Sequence, residues 1–261
     1  MGEKQAVYFL TGHDEASSTD SSDAGFSQVK DSLTQKGYTV NTLNLIAAPK
    51  IPADARTVII AGPRRSLTAD EIKLLSAFQS KGGSLVVLLE PTALMDLGGS
   101  PDLLVQYLKD TWGIAVADDF VIDPGMSNPL IAISDSYTRH AITQRLQQLV
   151  TVFPNSRSLS TTGKVSTVTD TELIKTIPQA WGVTDVQGLV KSLNEGQQIP
   201  APDPARDVSG PLTLVVAGEM SGNQGRVVVF GDSEFASNSL TANSLPYGNN
   251  DLFLNAVDWA S

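Results

Sequence analysis

Four polar stretches of the 261-residue chain each follow directly on an apolar run: Thr11-Gly12-His13-Asp14-Glu15, Gly62-Pro63-Arg64-Arg65, Glu90-Pro91 and Gly231-Asp232-Ser233-Glu234. If those runs are parallel strands of one open sheet, the residues just past their carboxyl ends gather on a single rim, which is where such sheets bind ligands. His13, Asp14, Arg64, Arg65, Glu90, Asp232 and Ser233 are therefore the candidate binding residues. Together they offer an imidazole, two guanidinium groups, three carboxylates and a hydroxyl. That set suits the recognition of a polar partner, and a hydroxyl beside an imidazole could in principle serve acyl transfer.

Gly231-Asp232-Ser233 resembles the nucleophile block of the Gly-Asp-Ser lipases. In those enzymes the block follows the first strand and an Asp-x-x-His element closes the chain, whereas here it follows the last strand and both histidines, His13 and His140, precede it. Chain order alone does not forbid a triad. A hydrolase using Ser233 with His13 or His140 is thus carried as a third reading, against a plain N-cap role for Asp232 or Ser233 at the following turn. No catalytic residue is assigned.

Metal and cofactor chemistry finds little support. His13, Asp14 and Glu15 are adjacent and cannot all reach one ion from an extended backbone, and the chain has only two histidines. Thr19 to Asp23 lacks the glycine and terminal glutamate of a calcium-binding loop and reads as solvated. The absence of cysteine excludes thiol nucleophiles, thiolate metal sites and disulfides. There is no phosphate-binding loop, and no Gly-x-Gly-x-x-Gly follows the first strand. No cofactor and no metal are expected. The 28 acidic residues against 18 basic ones give a net charge of -10, the wrong sign for nucleic acid or an anionic bilayer. No apolar run approaches the roughly 18 to 20 residues that span a membrane, and the amino terminus lacks the apolar core of a signal peptide.

The elements that must position the rim are legible from periodicity. Ala6 to Leu10 reads as a strand, Phe26, Val29 and Leu33 recur at helical spacing, and Tyr38 to Leu45 alternates as a half-buried strand. Thr57 to Ala61 is apolar throughout, as expected of a strand covered on both faces. Thr68 and Glu71 predict a capping box for a helix through Ile72, Leu75 and Phe78 that stops at Gly82-Gly83. Ser84 to Leu89 is a further buried strand, and Ser100 before Pro101 predicts the N-cap of a helix ending at Gly113. This alternation implies a three-layer α/β domain with a mostly parallel sheet. From about residue 155 to 209 Ser and Thr increase and apolar runs shorten, which reads as a polar region of strands and loops decorating one domain that spans residues 1–261. Leu212 to Gly218 and Arg226 to Phe230 form two strong β runs joined by a hairpin-like Glu219 to Gly225, making the sheet mixed. A helix carrying Leu252, Phe253, Val257 and Trp259 closes the chain behind Asn249 or Asn250 as cap. His140 is expected to open a helix, Trp112, Trp181 and Trp259 to pack, and Asn238, Asn249 and Asn255 to pin loops.

Val7 to Glu15, Ile60 to Pro63, Gly82 to Pro91, Val121 to Asp123, Tyr137 to Thr143, Gly231 to Asn238 and Gly248 to Trp259, in that order and spacing, resemble the auxiliary components of ABC-type transport systems, a group that includes the gliding-motility auxiliary proteins. Asp14 stands where that family often has glycine. The resemblance implies a Rossmann-like, three-layer fold similar to class I glutamine amidotransferases and to a domain of an intraflagellar transport subunit. It also implies an extracytoplasmic position, periplasmic or on the outer face of the cytoplasmic membrane, held by membrane-spanning helices outside this chain. The partners it implies are an ABC permease, its ATPase or associated membrane proteins, and it implies no enzymatic activity. The amidotransferase likeness is one of fold alone, because that chemistry rests on a cysteine nucleophile this chain lacks. The leading expectation is a non-catalytic interaction or sensing domain, with a small-ligand or carbohydrate binder as alternative.

Overall fold

The computed structural model describes residues 5–222, 225–242 and 245–261. Its elements run in chain order β1 (Ala6–Leu10), α1 (Ser27–Gln35), β2 (Thr39–Leu43), β3 (Ala55–Ala61), α2 (Ala69–Gln79), β4 (Ser84–Leu88), α3 (Leu103–Trp112), β5 (Ile114–Val116), β6 (Phe120–Ile122), β7 (Ile131–Ser134), β8 (Ser136–Tyr137), β9 (Thr151–Pro154), β10 (Leu159–Thr161), β11 (Val168–Lys175), β12 (Trp181–Val183), α4 (Val186–Asn194), β13 (Val208–Ser209), β14 (Thr213–Met220), β15 (Arg226–Phe230), α5 (Asn238–Thr241) and α6 (Asn249–Ala260).

Strands β2, β1, β3, β4 and β15 lie side by side and parallel, in that order. Beyond β15 the sheet turns antiparallel: β14 pairs with β15 on one side and with β10 and β11 on the other, β5 follows β10, and β8 follows β11. The sheet is therefore mixed, wholly parallel from its β2 edge to β15 and antiparallel beyond. Its strands are apolar at consecutive positions because successive side chains face opposite layers. Val7, Phe9, Ile59, Val86 and Phe230 pack with α1 and α6, through Val29, Leu33, Leu252 and Phe253. Tyr8, Leu10, Ile60, Val87 and Val229 pack with α2 and α3, through Leu75, Leu104, Leu108 and Trp112. This is the expected helix, sheet, helix layering.

The segment from 155 to 209 departs from the expectation of decoration. Strands β10 and β11 belong to the central sheet: Leu159 joins the core on one face, and Leu173 and Ile174 join the core on the other, where the register of β11 shifts. Residues 181–209 form a helix, α4, and two strands that join β6 in a separate antiparallel sheet around Phe120, Ile122, Val183, Val186 and Leu189. The hairpin-like connection before β15 includes Asn223 and Gln224, which lie outside the described residues; β14 and β15 pair antiparallel as expected.

Local rules account for most boundaries. The capping box at α2 is present: Glu71 N–H donates to the Thr68 hydroxyl, and the Glu71 carboxylate accepts from Thr68 N–H. Helix α3 is capped by Asp102 and not by Ser100, since the Asp102 carboxylate accepts from the amides of Leu104 and Val105. Neither Asn249 nor Asn250 caps α6; Gly248 holds that position, and Asn249 is instead buried. There its amide bonds Val152 N–H and C=O as a strand neighbour would. His140 starts a turn, not a regular helix, with its Nδ1 accepting from Ile142 N–H and its ring edge-on to Trp259. Trp112 is fully buried, whereas Trp181 and Trp259 are half-buried. Among the described residues no helix is long and apolar enough to cross a membrane.

Candidate functional site

Because β1, β3, β4 and β15 are parallel, the stretches that follow them emerge at one end of the sheet. They form one side of an open cleft of about 620 Å³. Glu90 lies at its floor, 4% exposed, and accepts a hydrogen bond from the Ser233 hydroxyl. Directly against this pair lies Gly62, at φ 66°. A Cβ there would stand 2.6 Å from Ser233 Oγ and 2.8 Å from Glu90 Oε1, so only glycine lets the backbone of the β3 loop close over the pair.

Burial pushes the Glu90 carboxyl up to about 7; Glu234 adds to the rise, while the Ser233 hydrogen bond and the Arg64 charge oppose it. Asp232, wholly enclosed, is held well above its ordinary value by burial and by the neighbouring charges of Glu90 and Glu234. Its two oxygens accept from the amides of Glu234 and Phe235, at 2.6 and 3.1 Å, so Asp232 caps the 3-10 turn Glu234–Ala236.

The other sequence-derived residues divide. Arg64 lines the cleft, exposed, and Asp14 lines it while paired at 2.8 Å with Arg65. His13 turns inward. Its Nδ1 meets Glu15 at 3.1 Å and its Nε2 meets Glu71 at 3.1 Å, while its carbonyl accepts from the amides of Arg64 and Arg65. Burial alone would lower the His13 pKa, but the two carboxylates overcome it and raise it, and Glu15 is lowered in return. His13 is thus an ionic clasp between the β1 loop, the β3 loop and the capped end of α2. No hydrogen bond joins Ser233 to either histidine, since both His13 nitrogens are taken and His140 packs on Trp259.

The far wall comes from residues 17–26, which include the stretch Thr19 to Asp23 expected to be a solvated loop. Asp20, Asp23, Ser17 and Phe26 line the cleft. They are held by Asn238, whose amide donates to the carbonyls of Asp20 and Ser22 and whose oxygen accepts from Gln28 N–H at the start of α1. Arg157 was also missed. It is buried, donates to the carbonyls of Ala117 and Glu90, and its own carbonyl lies where a Cβ on Gly231 would fall, at 2.0 Å. The cleft lining carries six carboxylates and one guanidinium. Among the described residues no group of three or more His, Asp or Glu is placed to hold a metal ion.

A family model described as an ABC-type uncharacterized transport system matches residues 4–256, nearly the whole chain. The chain belongs to that family. No curated protein matches. Among solved structures, the N-terminal domain of mmIFT52 is similar at a TM-score of 0.64 with 17% identity, over 97% of this chain and 96% of that one. A putative ThuA-like protein from Parabacteroides merdae ATCC 43184 is similar at a TM-score of 0.54 with 10% identity, over 99% of this chain and 90% of that one. At these identities the likeness is one of fold. Asp14, on the rim of the cleft, sits at φ 61°, a left-handed conformation that glycine adopts freely and aspartate tolerates better than most residues.

Proposed function

We propose that this chain is a non-catalytic, extracytoplasmic binding module of an ABC-type transport system, and that it touches a permease or associated membrane protein, and through it serves the ATPase, by the cleft at the carboxyl ends of its parallel strands. Membership of the transport family supports the accessory role. The observation that carries the binding reading is the commitment of Ser233 to Glu90, with both His13 nitrogens held by Glu15 and Glu71. A serine nucleophile needs a base that can take its proton and a third group to orient that base, and the imidazole that could serve is bound elsewhere. The likeness to the ThuA-like protein supports a class I glutamine amidotransferase-like fold, and the absence of cysteine separates this chain from that chemistry. Affinity capture from membranes tests the reading. The chain recovers a transport-system subunit, and Arg64→Glu with Arg65→Glu weakens recovery at least tenfold; recovery of no such subunit contradicts it.

The second reading is a small polar ligand such as a carbohydrate, favoured by the four serines, Ser17, Ser233, Ser237 and Ser239, that line the cleft among its carboxylates. A thermal-shift series across sugars separates the two, because a ligand present at 100 times its Kd adds about 2.7 kcal/mol of stability.

A further inference from the structure

A second cavity, of about 520 Å³, opens near the opposite end of the sheet, between the segment 49–56 that leads into β3 and the last turn of α2 with the glycines after it. Its lining is mixed: Ile51, Leu74 and Phe78, with Pro49 and Pro52, supply the apolar part. Around it stand Lys50, Arg56 and Lys81, all exposed. Three of its thirteen lining residues are basic and none is acidic, in a chain with 18 basic and 28 acidic residues among 261. The local charge is thus opposite to that of the molecule and to that of the strand-end cleft.

None of the three cations is used by the fold. Lys50, Arg56 and Lys81 enter no ion pair among the described residues. Asp54, the nearest acid in sequence, turns instead to the Tyr8 hydroxyl at 2.9 Å. The carbonyls at the end of α2 are closed by the amides of Ser80, Lys81, Gly82 and Gly83, so Lys81 is not needed to cap them. The cations come from three separate places, the loop before β3, its second residue and the turn after α2, and their charges converge only over this cavity. A volume of this size falls in the range of ligand sites, and a lining that joins apolar side chains to unpaired positive charge selects a molecule built the same way.

We infer that this groove binds a single-chain anionic amphiphile, its hydrocarbon tail against Ile51, Leu74 and Phe78 and its carboxylate or phosphate head among Lys50, Arg56 and Lys81. The inference is independent of the strand-end cleft. The tail supplies the driving force by removing apolar surface from water. The three cations supply orientation and a salt-sensitive share of the affinity, since exposed charge pairs are weak singly and are screened.

Titration calorimetry with decanoate below its micelle concentration tests this on the intact chain, with decanol, acetate and a short polyglutamate peptide as comparators. Expected are saturable one-to-one binding of decanoate, at least tenfold weaker binding of decanol and of acetate, and a severalfold loss in high salt. The triple substitution Lys50→Gln, Arg56→Gln, Lys81→Gln lowers decanoate affinity at least tenfold with an unchanged melting temperature, because these side chains make no internal bonds; Arg64→Gln in the other cleft leaves it unchanged. Equal binding of decanol and decanoate, native-like binding by the triple variant, or polyglutamate binding as tightly as decanoate would each overturn the assignment, the last in favour of an acidic protein segment.

Discussion

The Ser233 hydroxyl donates to the Glu90 carboxylate beneath the backbone of Gly62, where φ is 66° and a methyl group would meet both side chains. Gly62→Ala therefore incurs a steric and a conformational penalty together. The expected cost is about 2 kcal/mol or more by denaturant unfolding. A change below about 0.5 kcal/mol would show that the loop yields freely.

Two raised carboxyls give the site a pH signature. Glu90 titrates near 7 in the folded chain against 4.5 when free. The folded state therefore binds the extra proton between those values, and the contribution of Glu90 to stability is complete below 4.5 and is lost as pH rises to about 7, by on the order of 3 kcal/mol. Asp232 acts in the same direction. Glu90→Gln should remove most of this slope and raise the melting temperature at pH 8 but not at pH 4.5. A native chain whose melting temperature climbs steadily from pH 5 to 8 contradicts the assignment.

His13 has the opposite chemistry and the same sign. Its pKa is raised, so its contribution is complete below the free value of 6.5 and is lost as pH rises through the higher folded value. Because Glu15 and Glu71 are buried around it, His13→Gln leaves carboxylates short of a cation and should cost about 3 kcal/mol near pH 6, with a smaller cost near pH 9. A pH-independent cost would make His13 a matter of packing alone.

Asn238 ties the 17–26 wall to α1 through bonds to Asp20, Ser22 and Gln28. Asn238→Ala strands these backbone groups, at a cost of about 2 kcal/mol. The local signature is faster amide exchange across 17–28, with β4 amides unchanged; uniform acceleration of both regions would refute a role confined to the wall.

How far the sequence revealed this site depends on the range of each interaction. The parallel strands were legible because Val58-Ile59-Ile60-Ala61 and Leu85-Val86-Val87-Leu88 are buried on both faces and carry no alternation. Placing Glu90, Gly62 and Ser233 on one rim followed from that topology alone. The inward turn of His13 was not legible, because its partner Glu71 lies 58 residues away and the capping box already explained that glutamate. Thr19 to Asp23 reads as solvated because its side chains do face water, while the backbone of Asp20 and Ser22 is held from Asn238, more than 200 residues on. Gly-Asp-Ser marked residues with local duties: Asp232 takes the capping role that the sequence allowed for it, whereas the bond from Ser233 to Glu90 spans 143 residues and leaves no local signal. Helix α4 escaped notice because Val186 and Leu189 alone mark its buried face.

The decisive measurement is photocrosslinking in native membranes from a benzoylphenylalanine placed at position 64, on the cleft, and at position 191, on the exposed face of α4. Adducts between position 64 and a permease or associated membrane subunit, absent from position 191, are the expected result. Equal labelling from both positions, or no transport-system adduct from position 64, would contradict a binding role for the strand-end cleft.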